Sequence, residues 1–300
     1  MYAVIDVGSN TTRMLLGDCH KGAIQPHSHY REITRLAGGF SESTGLSAIG
    51  MDKTLATLKS YKKTIAAHNI SHVRVVGTAA LRRAQNQQVF LDKVLAATGL
   101  VIEVIDGVEE AQLTTMGVLS VVAPIANSTV VIDIGGGSTE LTCLMDGQVR
   151  FQASYPIGVV QLCEECFSDA ERQQLIDAAF KKFAASIKAI GLADRPYQLI
   201  GTAGTITTLA AIHLQLEIYA AGLINNHELS VYWLEGFQQK LKLISVPERE
   251  ALIGMEQGRG DLILPGLQIL LTLLRQLQLS SLRVSDSGLL EGIILSLTDR

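Results

Sequence analysis

Two stretches of this 300-residue chain repeat each other, and any fold for it must accommodate the repeat. Residues 3–12 read AVIDVGSNTT and residues 130–139 read VVIDIGGGST, which sets Asp6 over Asp133, Gly8 over Gly135 and Thr12 over Thr139. Downstream, VRVVGTAA at 73–80 is echoed by YQLIGTAG at 197–204, with Gly77-Thr78-Ala79 against Gly201-Thr202-Ala203. Each signal is an apolar strand followed by a loop of small residues, and both recur in the same order. The chain reads as two copies of one α/β unit.

Each copy opens with a strand that ends in Asp-x-Gly, passes through a turn of glycines and hydroxyls, and enters a second apolar stretch. Such a turn is a hairpin whose backbone amides can fold around an anion. Glycine lets the backbone approach phosphate oxygens with no side chain between. One such loop would be an ordinary tight turn. Two at matched positions, each led by Asp, point to paired phosphate loops. If the halves face each other, two carboxylates and two loops meet across one cleft.

Helical spacing fills the intervals. Residues 50–68 place Leu55, Leu58, Tyr61 and Ile65 on one side, and 86–98 and 109–122 continue the alternation. In the second half, 168–190 opens on Ser168-Asp169-Ala170-Glu171, a capping box, and 204–216, 230–243 and an apolar helix after Pro265 follow. The halves part within residues 123–128. Three hundred residues suit two domains, since single cores stop growing near roughly 250–300 residues.

The formal charge of −4 and pI near 6.0 speak against a nucleic-acid partner. An anionic ligand must then be held by local geometry: amides, a few arginines and a metal. The chain begins without a basic and apolar leader. Its longest apolar run, Leu262 to Leu274, contains Pro265 and falls short of the about 20 residues that a bilayer requires. The expected setting is the cytoplasm, with no membrane partner. Cys163-Glu164-Glu165-Cys166 lacks a second ligand pair, so its thiols are expected to be free and reduced. His68 and His72 read as a helix ending, Gly258-Arg259-Gly260-Asp261 as a chance match to an adhesion tripeptide, and no Gly-Lys-Ser/Thr phosphate loop occurs.

The motifs together resemble the exopolyphosphatase and guanosine pentaphosphate phosphohydrolase (Ppx/GppA) family over nearly the whole chain. They are DVGSNT at 6–11, TRLAGG at 34–39, GTAALR at 77–82, DGVEEA at 106–111, DIGGGSTE at 133–140, GTAGT at 201–205, LPGLQIL at 264–270 and SDSGLLEG at 285–292. The resemblance implies two duplicated actin-like (ribonuclease H-like) α/β domains facing across a cleft. The first would span 1–124 and the second 125–300, with a C-terminal helix at about 288–300 packing back on the first. On that resemblance the chain is expected to be the short form of the family, without the helical domains that longer relatives carry. The implied activity is removal of terminal phosphate from inorganic polyphosphate or guanosine pentaphosphate.

The family's probable catalytic base falls on Glu110, although the residues alone do not choose between it and a solvated first-turn pair with Glu109. Asp133 and Glu140 are the further catalytic candidates and, with Asp6, the candidate ligands of Mg²⁺, a hard cation suited to carboxylate oxygens. Gly8, Ser9, Asn10, Gly135, Gly136, Gly137 and Ser138 would contact phosphate oxygens. Gly201, Thr202, Gly204 and Thr205 would form a third anion loop at a helix start. Arg35 and Arg82 match family positions facing the cleft, whereas Arg83 is expected to point to solvent. Where the family often carries arginine this chain has Gln161, so one cationic contact is missing. Homodimers are common in the family. The rival readings are a kinase or ATPase of the same fold, such as an acetate- or sugar-kinase-like enzyme, and a non-catalytic sensor of polyphosphate or guanosine polyphosphate.

Overall fold

Strand alternation in the first repeated stretch sets the plan of the molecule. In β1 (Tyr2–Val7), Ala3, Ile5 and Val7 enter one core while Val4 enters another on the opposite face. Asp6 follows Val4 by two residues and so shares that second face. The computed structural model describes residues 1–41, 43–166 and 168–298. It divides into unit 1, Met1–Ser120 with the segment from Gly288, and unit 2, Val121–Ser287. The division falls a few residues before 124, and the segment from Gly288 belongs to unit 1.

In unit 1, β1, β2 (Thr11–His20) and β3 (Ala23–Ile33) form an antiparallel meander, followed by α1 (Ala48–Ala67). Then β4 (His72–Gly77) pairs parallel to β1, α2 (Ala79–Arg83) and α3 (Gln87–Thr98) follow, and β5 (Ile102–Val104) leads to α4 (Gly107–Leu119). The sheet order is β3-β2-β1-β4-β5. The predicted side of α1 is buried: Leu55, Leu58, Tyr61 and Ile65 pack with Phe90 and Val94 of α3 against β1 and β2. Ser47 caps α1 by accepting from the Gly50 amide at 3.2 Å.

Unit 2 contains β6 (Ser128–Ile134), β7 (Thr139–Met145), β8 (Gln148–Tyr155), α5 (Val159–Glu165), α6 (Asp169–Ala189), β9 (Gln198–Thr202) and α7 (Ala203–His213). After α8 (Ala221–Ile224) come β10 (Glu228–Ser230), α9 (Val231–Lys242), α10 (Val246–Glu250), α11 (Ile263–Gln276) and β11 (Ser281–Val284). The order is β10-β11-β9-β6-β7-β8. Read from β8, five strands repeat the order of unit 1 and β10 is added at the edge. This duplicated mixed sheet is the strand order of the actin-like, ribonuclease H-like class. The capping box at Ser168 and Glu171 opens α6 as the sequence indicates. Pro265 lies inside the first turn of α11, which starts at Ile263. A missing N–H costs little there, because first-turn amides have no intrahelical partner.

The last helix, α12 (Leu289–Thr298), follows β11 as α4 follows β5, yet it packs in unit 1. Leu289, Leu290, Ile293 and Ile294 join Val4, Leu15, Val76, Ile105 and Leu113 in one core. Its contact with α4 is backbone to backbone. A Cβ on Gly292 would lie 1.7 Å from the Leu113 carbonyl oxygen, and one on Gly117 would lie 1.9 Å from that of Gly288, so no larger residue fits. Among the described residues no helix is long and apolar enough to cross a membrane.

Candidate active site

The two Asp-led hairpins are braced in the same way. In unit 1 the Gly8 amide donates to the Thr11 carbonyl at 3.1 Å, and a Cβ on Gly8 would meet that oxygen at 2.9 Å. The carbonyls of Ser9 and Asn10 accept from the amides of Ala37 (2.9 Å) and Arg35 (2.8 Å). In unit 2 the Gly135 amide donates to Ser138 O at 2.9 Å, while the carbonyls of Gly135 and Gly136 accept from Val159 (3.0 Å) and Val160 (2.8 Å). The hydroxyls match too: Thr12 bonds Thr34 at 3.0 Å, and Thr139 donates to the Ile157 carbonyl at 2.6 Å. TRLAGG and the PIGVVQL stretch thus do one job twice. With loop carbonyls tied back, the amides of the glycine and serine turns face the other way, the arrangement an anion requires. Gly158 makes this approach in unit 2: a Cβ there would strike the Gly136 backbone at 2.4 Å.

The hairpins differ in charge. Asp6 faces Arg13 across the β1–β2 ladder, and Arg13 Nε and Nη2 both donate to its Oδ2, at 3.0 and 2.6 Å. Asp6 Oδ1 is buried with no hydrogen-bond partner, as is Asn10 Oδ1 in the same loop. Asp133 instead faces Glu140 across the β6–β7 ladder. Both are buried, and Glu140 Oε1 accepts from the hydroxyls of Ser138 and Ser154, each at 2.6 Å. Like charges opposite one another in a ladder are unfavourable, and a cation beside this pair would relieve that repulsion.

Among the described residues no group of three or more metal-type side chains converges. Mg²⁺ does not require one, since it takes one or two carboxylates and completes its shell with waters and phosphate oxygens. In unit 2 the buried carboxylates of Asp133 and Glu140 are hard oxygen donors of that kind, and in unit 1 Asp6 Oδ1 is another.

Glu109 and Glu110 open α4 behind Asp106, whose side chain caps the amides of Val108 and Glu109 at 2.9 and 2.8 Å. The two glutamates go different ways. Glu109 is on the surface, bonded to Arg74, which also holds Glu103. Glu110 is buried and paired with Arg82 at 2.5 Å, and Arg82 also donates to the Ile105 carbonyl at 3.1 Å. Arg82 therefore acts on Glu110. Arg83 does not point to solvent: its guanidinium lies 4.9 Å over the Phe40 ring, a cation–π contact. Arg35 holds a left-handed backbone (φ 48°) at the brace of the first loop, a conformation that costs a non-glycine residue energy.

At the third loop the expected residues separate. Gly201 lies one residue before the end of β9, with the space around its Cα closed by Ile206 and Leu282, and Thr202, which ends the strand, donates its hydroxyl to the Ser287 carbonyl at 3.1 Å. Thr205 is buried and abuts Gly266 of α11. Ala203 is left-handed (φ 69°), again a strained residue. Gly204 is covered by Arg259, whose guanidinium would lie 1.9 Å from a Cβ there. Arg259 is 6% exposed and ion-paired with Glu256. A buried guanidinium against the first turn of a helix opposes the helix dipole, and a bound anion would reverse that penalty. Sequence reasoning took this arginine for part of a chance tripeptide; no local signal marks it. Gln161, by contrast, bonds Glu165 through Nε2 while its Oε1 is buried without a partner. The four cysteines are free thiols.

A duplicated α/β protein with two braced anion loops and buried carboxylates beside them is the architecture of a phosphoryl-transfer or phosphate-releasing protein. The comparison with known sequences narrows this: residues 17–300 match the Ppx/GppA phosphatase family, and the chain belongs to that family. It is 33% identical to exopolyphosphatase 2 of Mycobacterium tuberculosis, covering 98% of each chain. It is 29% identical to a guanosine-5'-triphosphate,3'-diphosphate pyrophosphatase of Vibrio campbellii, matching all of this chain but only 59% of that longer protein. Among solved structures, an exopolyphosphatase from Cytophaga hutchinsonii superposes with a TM-score of 0.90 at 27% identity, over 99% of this chain and 97% of that one. The Aquifex aeolicus member of the family gives 0.81 at 29% identity, with the same coverage.

Proposed function

We propose that the protein is a cytoplasmic phosphohydrolase that releases terminal phosphate from inorganic polyphosphate or guanosine pentaphosphate by metal-assisted attack of water. The observation that carries the reading is the second hairpin, where two buried carboxylates stand beside a glycine loop whose carbonyls are tied back. Membership of the Ppx/GppA family and the names of the relatives support it.

In this reading the amides of Gly135, Gly136, Gly137 and Ser138 hold phosphate oxygens in unit 2, and those of Gly8, Ser9 and Asn10 are the corresponding donors of unit 1. Asp133 and Glu140 would hold the metal, which when bound neutralises charge on the phosphoryl group. In unit 1 Asp6 has one oxygen, Oδ1, left over for a cation. Glu110 orients the attacking water and accepts its proton, with Arg82 fixing the carboxylate. Arg259 supplies the cation at the third loop that Gln161 does not.

The test is a side-by-side phosphate-release assay on tripolyphosphate, long polyphosphate and guanosine pentaphosphate, with Mg²⁺ and with EDTA. Turnover of one or more in Mg²⁺, lost in EDTA, is expected. ADP formation with acceptors and no phosphate release would replace this reading by a kinase.

A further inference from the structure

Unit 2 carries a second pocket, walled by aromatic rings and built on α7, α9, the segment after α10 and the end of α11. Its volume is about 920 Å³, and Trp233, Phe237 and His213 line it. That size is within the roughly 300–1,000 Å³ of small-molecule sites. Trp233 is the chain's single tryptophan. Its ring stacks on Phe237 at 4.9 Å and 10°, and His213 meets it edge-on at 4.6 Å.

The walls are set in advance. His213 Nδ1 and His227 Nε2 lie 2.8 Å apart and share a hydrogen bond, which fixes the His213 ring against Trp233. Burial, and then the neighbouring His213, push His227 below the ordinary histidine value, which favours its uncharged form. The polar groups at the mouth are of three kinds. Gln215 and Gln239 are amides able to donate and accept in one plane, Lys240 is a cation, and Arg275 is ion-paired at 2.8 Å with Glu235, which also lines the pocket.

A ring wall, planar amide partners and a lysine at the mouth together describe a flat heteroaromatic base joined to an anion. We propose that this pocket binds a purine nucleotide, with the base against Trp233 and Phe237 and the phosphate toward Lys240. The two-ring base is favoured because it covers more of the aromatic wall. The pocket is separate from the anion loop at Gly204. His213 ends the helix that Ala203 begins, and a helix of that length at 1.5 Å per residue separates its ends by about 15 Å. The proposal does not depend on what the protein hydrolyses.

Gly236 provides a variant that fills the pocket while favouring the fold. It lines the pocket from the exposed side of α9, and a Cβ there meets nothing within 4 Å. Leucine also suits a helix better than glycine. The experiment titrates the full chain with GMP while following tryptophan emission, with ribose 5-phosphate and tripolyphosphate as controls. Saturable quenching by GMP is expected, absent with ribose 5-phosphate and undisturbed by tripolyphosphate. Gly236→Leu should weaken GMP binding at least about tenfold and leave phosphate release from polyphosphate at the parental rate. No saturable change at millimolar GMP, equal quenching by ribose 5-phosphate, or parental GMP affinity in Gly236→Leu would overturn the proposal. Because emission and phosphate release are read separately, a chain that hydrolyses nothing yet binds GMP counts against the proposed hydrolysis alone.

Discussion

Unit 1 pairs buried acids with arginines, whereas unit 2 sets two buried acids opposite one another. Asp6 has Arg13 and Glu110 has Arg82; Asp133 has Glu140 across the ladder, with serine hydroxyls on Glu140. In both, the loop closes on itself through its first glycine amide and two loop carbonyls are tied back, although the braced carbonyls are shifted by one residue (Ser9 and Asn10 against Gly135 and Gly136), so the duplication kept the kind of loop and changed the charge beside it. A hairpin that carries its own guanidinium is balanced as folded. One that opposes two carboxylates gains most from a cation that arrives with the ligand. If the proposed metal binds, the same loop serves as anchor in one unit and as metal platform in the other.

The largest effect should come from the base. Glu110→Gln keeps size and hydrogen bonding to Arg82 but accepts no proton, so turnover should fall about 10²–10⁴-fold with little change in KM. Glu109→Gln, whose parent side chain sits in the surface network with Arg74, should leave turnover near the parental value. If Glu109→Gln is the damaging change, the assignment is one residue out of register. Next comes the opposed pair. Glu140→Gln removes one of two facing charges, so turnover should drop about 10²-fold, the order of losing one charge-stabilising group. Mg²⁺ should raise the melting temperature of the parent and not of this variant. A parent indifferent to Mg²⁺ would remove the contrast between the units.

Smaller effects concern stability. Arg13→Met leaves Asp6 buried without its guanidinium. Because Arg13 itself is 30% exposed, the loss should be about 2–3 kcal/mol, below that of a fully buried pair. A denaturation midpoint equal to the parent's would mean that the first hairpin is not held by its ion pair. Unit 1 also has an exception: Glu291 on α12 accepts from the Gly288 amide at 2.8 Å rather than from an arginine. Burial pushes its carboxyl above the ordinary range, with the amide hydrogen bond pulling the other way. A raised folded value means stability that is present at low pH and lost as pH rises from about 4 upward. Glu291→Gln keeps an acceptor for Gly288 and does not titrate. The parent's melting temperature should therefore fall relative to the variant's between acid and neutral pH, by a few degrees at most; parallel curves would contradict this.

Much of the fold was legible because it rests on periodicity and caps. The repeat, the two hairpins, and helices such as α6 with its Ser168–Glu171 box follow from residues adjacent in sequence. The common brace was not legible. It is made of backbone amides and carbonyls, so TRLAGG and PIGVVQL share a role without sharing residues. Arg259 was hidden for another reason: it reaches Gly204 from a distant loop, and only the tertiary fold shows that they touch. Arg83 depended on a ring, Phe40, whose placement no spacing predicts. The third loop looked uniform as GTAGT, yet Gly201 packs, Thr202 bonds Ser287, and only Gly204 lies against a cation.

Protein synthesis meets a constraint in the position of α12. Four of the nine buried residues in one core of unit 1 (Leu289, Leu290, Ile293 and Ile294) leave the ribosome only after every residue of unit 2. Until then the faces of β1, β2 and α4 that await it present Val4, Leu15 and Leu113 to solvent. The nascent chain can complete its second unit before its first, and during that interval the first-made part of the molecule is the part most in need of a chaperone.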